Sequence, residues 1–319
     1  MGERIAVLDG GYQSYAFEKE LLAKHGYSLE LFDGPQDDWY AKVKFAENAI
    51  GVFVRWMVVN NDFFAALPGL RAVVRYGVGY DNIDLDAATK HNVKVANVQG
   101  YANHAVSDHA LALMFACARS LKLGQEQVDA AFTKPPRQEI FEFHDKTLGI
   151  IGLGRIGGTL CAKARWLFQY VLAYDPYISD QRFKILGAVK TDLETVLQEC
   201  HVISLHCNLT DETHHMIDLY SFEQMVKQPI IINTSRGAVI DTPSLQQALD
   251  KKLIHSAGLD VYETEPPDES YFSILTRPNV FGTGHYAWYS DSSMLELQRR
   301  AAKNMLAILQ GQSTMDCLN

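Results

Sequence analysis

Short apolar runs recur along the chain, separated by intervals of helix length. "RIAVLDG" (4–10), "SLELFD" (28–33), "AIGVFVRW" (49–56), "RAVVRYG" (71–77) and "VKVANV" (93–98) make the first series. Runs with little polar alternation read as strands covered on both faces, as in a parallel sheet. Between the first two, "FEKELLAKHG" (17–26) has helical spacing and stops at Gly26. The alternation is a βαβ rhythm, hence a parallel sheet flanked by helices.

"HAVSDHALALMFACARSL" (104–121) interrupts it and predicts a helix over roughly 102–121. Its apolar residues cover much of the circumference, which predicts burial between domains or in a subunit interface. Asp108 and Arg119 argue against a membrane span. Residues 122–146, with "TKPPRQ" (133–138), read as an irregular arm. A second series follows: "TLGIIGLGRIG" (147–157), a helix to about 170, then "VLAYD" (171–175), "HVISLHC" (201–207), "PIIINTS" (229–235), "HSAGLDVY" (255–262) and "NVFGTG" (279–284). A last helix is expected from about Ser290 to Leu309, capped by Ser290 or Asp291.

Composition narrows the class. At 319 residues the chain exceeds what one core usually fills, so two domains are expected. The net charge of −9, without a basic stripe, argues against nucleic acid as a partner but not against a small anionic substrate. Cysteines 117, 161, 200, 207 and 317 form no C-x-x-C pair, which fits a reducing cytoplasm and no disulfide framework. "MGERIAVLDGGYQ" reads as neither a secretory nor a myristoylation signal. His201, His206, His214 and His215 lack a metal-ligand spacing and read as polar residues around an adenosine end or a helix start, so no metal is expected.

"GLGRIG" places Gly152, Gly154 and Gly157 in G-x-G-x-x-G register between an apolar strand and a helix. Gly152 suits the tight turn, Gly154 a close approach to a pyrophosphate, and Gly157 helix–strand packing. Asp175, at the end of the next strand, suits adenosine ribose hydroxyls and repels a 2′-phosphate, so NAD is expected rather than NADP. A turn residue before Pro176 is the plainer reading of Asp175.

Three strand ends in this series carry reactive side chains: Arg236 in "NTSRGAVID", Glu265 in "GLDVYETEPP" and His285 in "GTGHYAWYS". Hydride transfer between NADH and a 2-oxo acid needs a cation for the carboxylate and carbonyl, which suits Arg236. It needs a proton exchanger, which suits His285. It also needs a carboxylate to hold that histidine protonated, which suits Glu265, with Glu263 as an alternative. Taken singly, Arg236 and Glu265 also read as a surface ion pair and a solvated loop charge.

These segments, in order, resemble the NAD-dependent D-isomer-specific 2-hydroxyacid dehydrogenases. "LGIIGLGRIGG", "HCNLTDETHHMID", "INTSRGAVID" and "GLDVYETEPP" carry the resemblance, with "RYGVGYDNID" and "GYANHAVSDHALALM" upstream. It implies two Rossmann-like or flavodoxin-like doubly wound domains with an active-site cleft between them. Residues 1–99 plus 288–319 would form the substrate domain and 100–287 the NAD-binding domain, with homodimers joined through the latter. It implies the catalytic trio Arg236, Glu265 and His285, and amides of Gly77, Val78 and Gly79 on the substrate carboxylate. Arg155 and Ile156 would meet the pyrophosphate, Asp260 the nicotinamide carboxamide, and His206 and Thr234 the cofactor.

"HYAWYSDSS" and "YDPYISD" are similar to the C-terminal binding protein branch, which implies substrate-facing Arg75 and Trp288. Trp288 reads equally as packing for the last helix. Trp56 and Met57 align with a substrate-facing loop and read equally as core. If they face the pocket, an apolar or aromatic substrate is favoured over a phosphorylated one. Two positions depart from the family: Gly284 and Gln99 stand where proline is usual. The function expected is oxidation or reduction between a D-2-hydroxy acid and its 2-oxo acid. The alternatives are a 3-phosphoglycerate dehydrogenase without a regulatory domain and an NADH-sensing, corepressor-like binding protein.

Overall fold

The computed structural model describes residues 2–129, 140 and 142–319. They form two compact units, Met1–Tyr101 with Ser290–Asn319, and Ala102–Tyr289. The chain crosses at 101/102 and 289/290, two residues past 99 and 287. Both crossings fall at helix caps, because Ala102 and Ser290 are the N-cap positions of the helices that follow.

Among the described residues the first unit holds a five-stranded parallel sheet: β1 (Glu3–Val7), β2 (Tyr27–Leu31), β3 (Ala49–Val54), β4 (Ala72–Arg75) and β5 (Lys94–Ala96). Helices α1 (Ala16–Ala23), α2 (Trp39–Phe45), α3 (Asn61–Ala66) and α4 (Leu85–Lys90) alternate with the strands. Asp38, Asn60 and Asp84 cap α2, α3 and α4 through side-chain bonds to backbone N–H groups. The strand order is β2-β1-β3-β4-β5. Its direction reverses between β1 and β3, so the loops leaving these two strands part there.

One buried charge pair fixes the loop after β3. Asp9, just after β1, lies 2.5 Å from the Lys42 ammonium, and both are nearly sealed from solvent. The other oxygen of Asp9 accepts the amides of Arg55, Trp56 and Met57 at 2.6–2.9 Å. Burial alone would raise the Asp9 carboxyl, but Lys42 and these amides outweigh it and hold it below its ordinary value.

The second unit opens with α5 (Asn103–Ala118) and α6 (Leu121–Asp129). Helix α5 buries Val106, Ala110, Leu113, Met114 and Cys117. It leaves His104, Asp108, Ala112, Phe115 and Arg119 exposed. Its packing within this chain is therefore one-sided, and apolar Ala112 and Phe115 lie on the open stripe. Helix α6 occupies the start of the expected irregular arm; "TKPPRQ" (133–138) lies outside the described residues.

A seven-stranded parallel sheet follows among the described residues: β6 (Thr147–Ile151), β7 (Tyr170–Tyr174), β8 (Val189–Lys190), β9 (Val202–Leu205), β10 (Ile230–Asn233), β11 (Ser256–Leu259) and β12 (Val280–Gly282). It alternates with α7 (Arg155–Ala164), α8 (Asp180–Leu186), α9 (Leu193–Glu199), α10 (Leu219–Glu223), α11 (Thr242–Asp250) and α12 (Glu269–Leu275). Helix α7 stops at Ala164 rather than near 170. The chain turns there so that Phe168 stacks on Phe143, with ring centroids 4.6 Å apart. The order β12-β11-β10-β9-β6-β7-β8 reverses between β6 and β9.

The chain then returns to the first unit as α13 (Asp291–Leu309), capped by a reciprocal Ser290–Ser293 pair. Leu297, Ala301, Met305 and Leu309 form its buried stripe. Arg300 Nη2 donates to both carboxylate oxygens of Asp316 at 2.7–2.8 Å, and its Nη1 donates to the Gln99 carbonyl. The Gln99 amide donates to Asp316 Oδ1. A proline there would lack that donor, which accounts for this departure from the family pattern. Among the described residues no helix is long and apolar enough to cross a membrane.

Removing Asp9 strands the buried Lys42 charge. Asp9→Ala is expected to lower unfolding free energy by about 3–5 kcal/mol, read from urea denaturation.

Candidate active site

The strand β6 ends in a turn that only glycine fits. Gly152 has φ +90°, and a Cβ there would fall 2.6 Å from the Cys207 amide nitrogen. Gly154, the N-cap of α7, faces open space. Gly157 is buried on the strand side of α7, with Arg155 exposed and Ile156 half-buried beside it. Asp175, after β7, accepts the Leu153 amide at 2.8 Å and the Tyr177 amide at 3.0 Å. Its carboxylate thus ties the end of β7 to the glycine turn.

At this switch point lies a crevice of about 290 Å³. Its walls include Gly152, Gly154, Asp175, His206, Asn208 and Thr210. Burial lowers the His206 imidazole to about 4, so the ring is neutral near pH 7. His206 Nδ1 and Thr234 Oγ1 are buried with no hydrogen-bond partner among the described residues. A glycine turn, a helix N-terminus, an acidic strand end and two unsatisfied polar atoms fit a dinucleotide.

The three reactive side chains leave neighbouring strands of the same sheet. Asn233, buried at the end of β10, accepts from the Ser235 amide and hydroxyl and donates to the Arg236 carbonyl. This fixes the turn that carries Arg236. Gly237 then packs on the loop after β11: a Cβ there would fall 1.9 Å from the Tyr262 carbonyl carbon. That loop carries Glu265, whose Oε1 accepts the Tyr262 amide and whose Oε2 accepts from His285 Nδ1 at 2.5 Å. Burial works to raise the Glu265 carboxyl. The His285 bond, the His285 charge and the Arg236 charge overcome it and leave it lowered.

Glu263 is engaged elsewhere. It accepts from His215 Nε2 at 2.5 Å, from the Thr242 amide at 3.0 Å and from the Thr242 hydroxyl. Glu265, not Glu263, therefore partners His285. His214 stacks on His215 with centroids 3.9 Å apart, and among the described residues no cluster of ligating side chains is placed to hold a metal.

His285 has φ +52°, a left-handed conformation that costs a non-glycine residue about 1–2 kcal/mol. Asp260 holds it there. The Asp260 carbonyl accepts the His285 amide at 2.7 Å. Its carboxylate accepts the Thr283 hydroxyl at 2.6 Å, the Tyr286 amide at 3.1 Å and the Ala287 amide at 2.9 Å. His109, on α5, adds a 2.9 Å contact to Thr283 Oγ1. The Trp288 indole donates to the His285 carbonyl at 2.9 Å, so this tryptophan braces the loop it follows. Gly284 is outside the left-handed region, and a Cβ on it would meet nothing within 4 Å. Rigidity beside His285 thus comes from Asp260, a role with no mark in the sequence pattern; His109 and Asn233 were likewise unmarked.

In the first unit, β4 ends at Arg75, and Gly77 follows with φ +143°. The Asn97 amide group donates to the Val78 carbonyl at 2.6 Å, and the Val98 amide donates to the Gly77 carbonyl at 2.9 Å, fixing the turn through Gly79. The Gly77 amide donates to the Arg75 carbonyl. Trp56 and Met57 diverge: Met57 is buried in the core, while Trp56 is 49% exposed.

Comparison with known proteins agrees with this architecture. Residues 111–287 match the model for "D-isomer specific 2-hydroxyacid dehydrogenase, NAD binding domain". A glyoxylate reductase of Korarchaeum cryptofilum is 35% identical over 267 residues, 82% of this chain and 80% of the relative. A D-lactate dehydrogenase of Escherichia coli is 31% identical over 326 residues, 95% of this chain and 97% of the relative. The solved structure of a D-lactate dehydrogenase from Aquifex aeolicus, complexed with NAD and lactic acid, superposes with TM-score 0.86 at 27% identity, covering 97% and 96% of the chains.

The lowered Glu265 value sets the sign of a pH effect. Its contribution to stability is full above the ordinary value of 4.5 and is lost as pH falls through the lowered one. In urea unfolding between about pH 7 and pH 3, the gap between wild type and Glu265→Gln is expected to narrow only below the ordinary carboxylate value. Gly284→Ala is expected to raise stability by about 0.4–1 kcal/mol, measured the same way.

Proposed function

The chain belongs to the D-isomer specific 2-hydroxyacid dehydrogenase family, and on that footing we propose that Arg236, Glu265 and His285 catalyse its interconversion of a D-2-hydroxy acid and a 2-oxo acid. The observation that carries the assignment is the 2.5 Å His285–Glu265 bond beside the Arg236 charge, in the unit that holds the glycine turn. NAD, when bound, supplies the hydride donor or acceptor for the substrate C2.

With His285 Nδ1 committed to Glu265, proton exchange with the substrate oxygen falls to Nε2. Glu265 orients the ring and, ionised, balances the imidazolium that forms on oxidation of the alcohol. The planar Arg236 guanidinium suits both the carboxylate and the carbonyl oxygen, where negative charge grows during reduction. The family resemblance adds Arg75 and the amides of Val78 and Gly79 as further anion donors, with Trp288 beside His285; the Gly77 amide, expected among them, instead donates to the Arg75 carbonyl and shapes the turn.

Gly152, Gly154, Arg155, Ile156 and Gly157 are assigned to the cofactor pyrophosphate, Asp175 to its ribose, and His206 and Thr234 to polar contacts along it. The unsatisfied His206 and Thr234 atoms support this. Asp260 is assigned first to bracing His285, and the nicotinamide carboxamide contact is secondary. Exposed Phe115, Leu121 and Val128 on α5 and α6 support a homodimer joined through this unit. Five free cysteines support a cytoplasmic setting.

His285→Ala is expected to lower kcat with glyoxylate by about 10²–10⁴-fold while the Kd for NADH, from fluorescence titration, moves less than threefold. Equal turnover would remove His285 from the mechanism. Asp175→Ala is expected to narrow the preference for NADH over NADPH in paired binding titrations; a wild type that prefers NADPH would overturn the ribose assignment.

A further inference from the structure

His215 stands where three segments of the second unit meet. The first is the loop after β9, whose residues Asn208, Thr210, Thr213 and Met216 wall the dinucleotide crevice. In that loop the Thr213 hydroxyl donates to the Asn208 carbonyl at 2.6 Å and accepts the Thr210 amide at 2.8 Å, so the segment leading to His215 is held as one piece. The second is the turn after Arg236. The His215 amide donates to the Ala238 carbonyl at 2.8 Å, and the Ile217 amide donates to the Val239 carbonyl at 3.0 Å. The third is the loop after β11, which the His215 ring reaches. Its Nε2 lies 2.5 Å from Glu263 Oε1, two residues before Glu265, and its Nδ1 lies 3.6 Å from Asp241 Oδ1. Glu263 is anchored in turn. Its Oε2 accepts the Thr242 amide at 3.0 Å, and its own amide donates to the Tyr271 hydroxyl at 3.0 Å.

We infer that His215 is a positioning residue: through Glu263 it locks the wall of the cofactor crevice to the two turns that carry Arg236 and Glu265. This rests on the dehydrogenase reading above and adds to it a link between holding NAD and holding the catalytic side chains. Three observations carry it. His215 has φ +51°, a conformation that a non-glycine residue keeps only where its surroundings impose it, here through the Ala238 bond and the Glu263 pair. The His215 side chain is 35% exposed and that of Glu263 24%, so their contact is a directional polar one rather than core packing. The link is also short. Gly237, between Arg236 and Ala238, is pressed against Tyr262, where a Cβ would fall 1.9 Å from the carbonyl carbon. A shift at His215 is therefore passed to both turns at once, and a misplacement of about 1 Å at reacting groups costs on the order of a hundredfold in rate.

The test compares wild type with His215→Asn, Glu263→Ala and the double variant. Asparagine tolerates the left-handed backbone but is too short to reach Glu263, and Glu263→Ala cuts the same link from the other side. The readouts are the Kd for NADH, from fluorescence titration, and kcat and KM for whichever of glyoxylate, pyruvate and phenylpyruvate wild type reduces fastest. His215→Asn is expected to raise the NADH Kd by about threefold or more and to lower kcat/KM by about tenfold or more, with KM raised as well as kcat lowered. Glu263→Ala should move both readouts in the same direction, and it carries the same expectation should His215→Asn not fold. The double variant should fall within about twofold of the worse single variant, because both cut one link. A role in folding alone would lower the active fraction and leave KM and the NADH Kd at their wild-type values. That result would overturn the inference. So would a change in kcat/KM without one in the NADH Kd, or single effects that multiply in the double variant. In each of these cases wild-type turnover, and the dehydrogenase reading, stand. A wild type that reduces none of the three acids would overturn that reading, and the inference with it.

Discussion

The proposed catalytic arrangement depends on where one buried carboxylate is spent. Asp260 is 1% exposed, and leaving a charge that deep without partners costs several kcal/mol. It recovers this by collecting a hydroxyl and two amides from the segment just past β12. Those bonds hold His285 in a backbone conformation that a free chain avoids. The imidazole then meets Glu265, and Glu265 meets the field of Arg236, without any of the three having to search for the others. Pre-set geometry of this kind is what lets a proton exchanger act without reorganising.

The first unit uses the same device. Asp9 stands after β1 as Asp260 stands after β11, and each gathers backbone donors from the exit of a neighbouring strand. The difference lies in the counter-charge. Asp9 has Lys42 at 2.5 Å, whereas His109, 3.6 Å from Asp260, is itself lowered by burial despite the pull of that carboxylate. One brace is an ion pair, and the other is a charge stabilised mainly by hydrogen bonds.

Much of this was legible in the chain. Strand runs such as "LGIIG" and "VISL" are apolar because both faces are covered, and that pattern survives without knowing their order. The glycine turn was legible because φ and steric demands at Gly152 leave no other residue type. The trio was legible as residue types at strand ends, but the choice between Glu265 and Glu263 was not. Two carboxylates two residues apart differ only in which histidine the folded loop brings to each. Asp9 and Asp260 were silent as braces, because a brace is defined by amides distant in sequence. Helix α6 was also missed: its residues Leu121–Asp129 have none buried, so packing leaves no apolar signature there. Strand β8, two exposed residues long, leaves none either.

The route of the chain sets an order of events during synthesis. The second unit is continuous, Ala102–Tyr289, and can close its core as soon as Tyr289 is made. The first unit cannot. Its strands are made first, yet the stripe of Leu297, Ala301, Met305 and Leu309 that covers them, and the Arg300–Asp316 lock on Gln99, arrive last. The strands of the first unit must wait, with apolar surface uncovered, until α13 is made. Apolar surface of the first unit is thus left uncovered for longer during synthesis than that of the second.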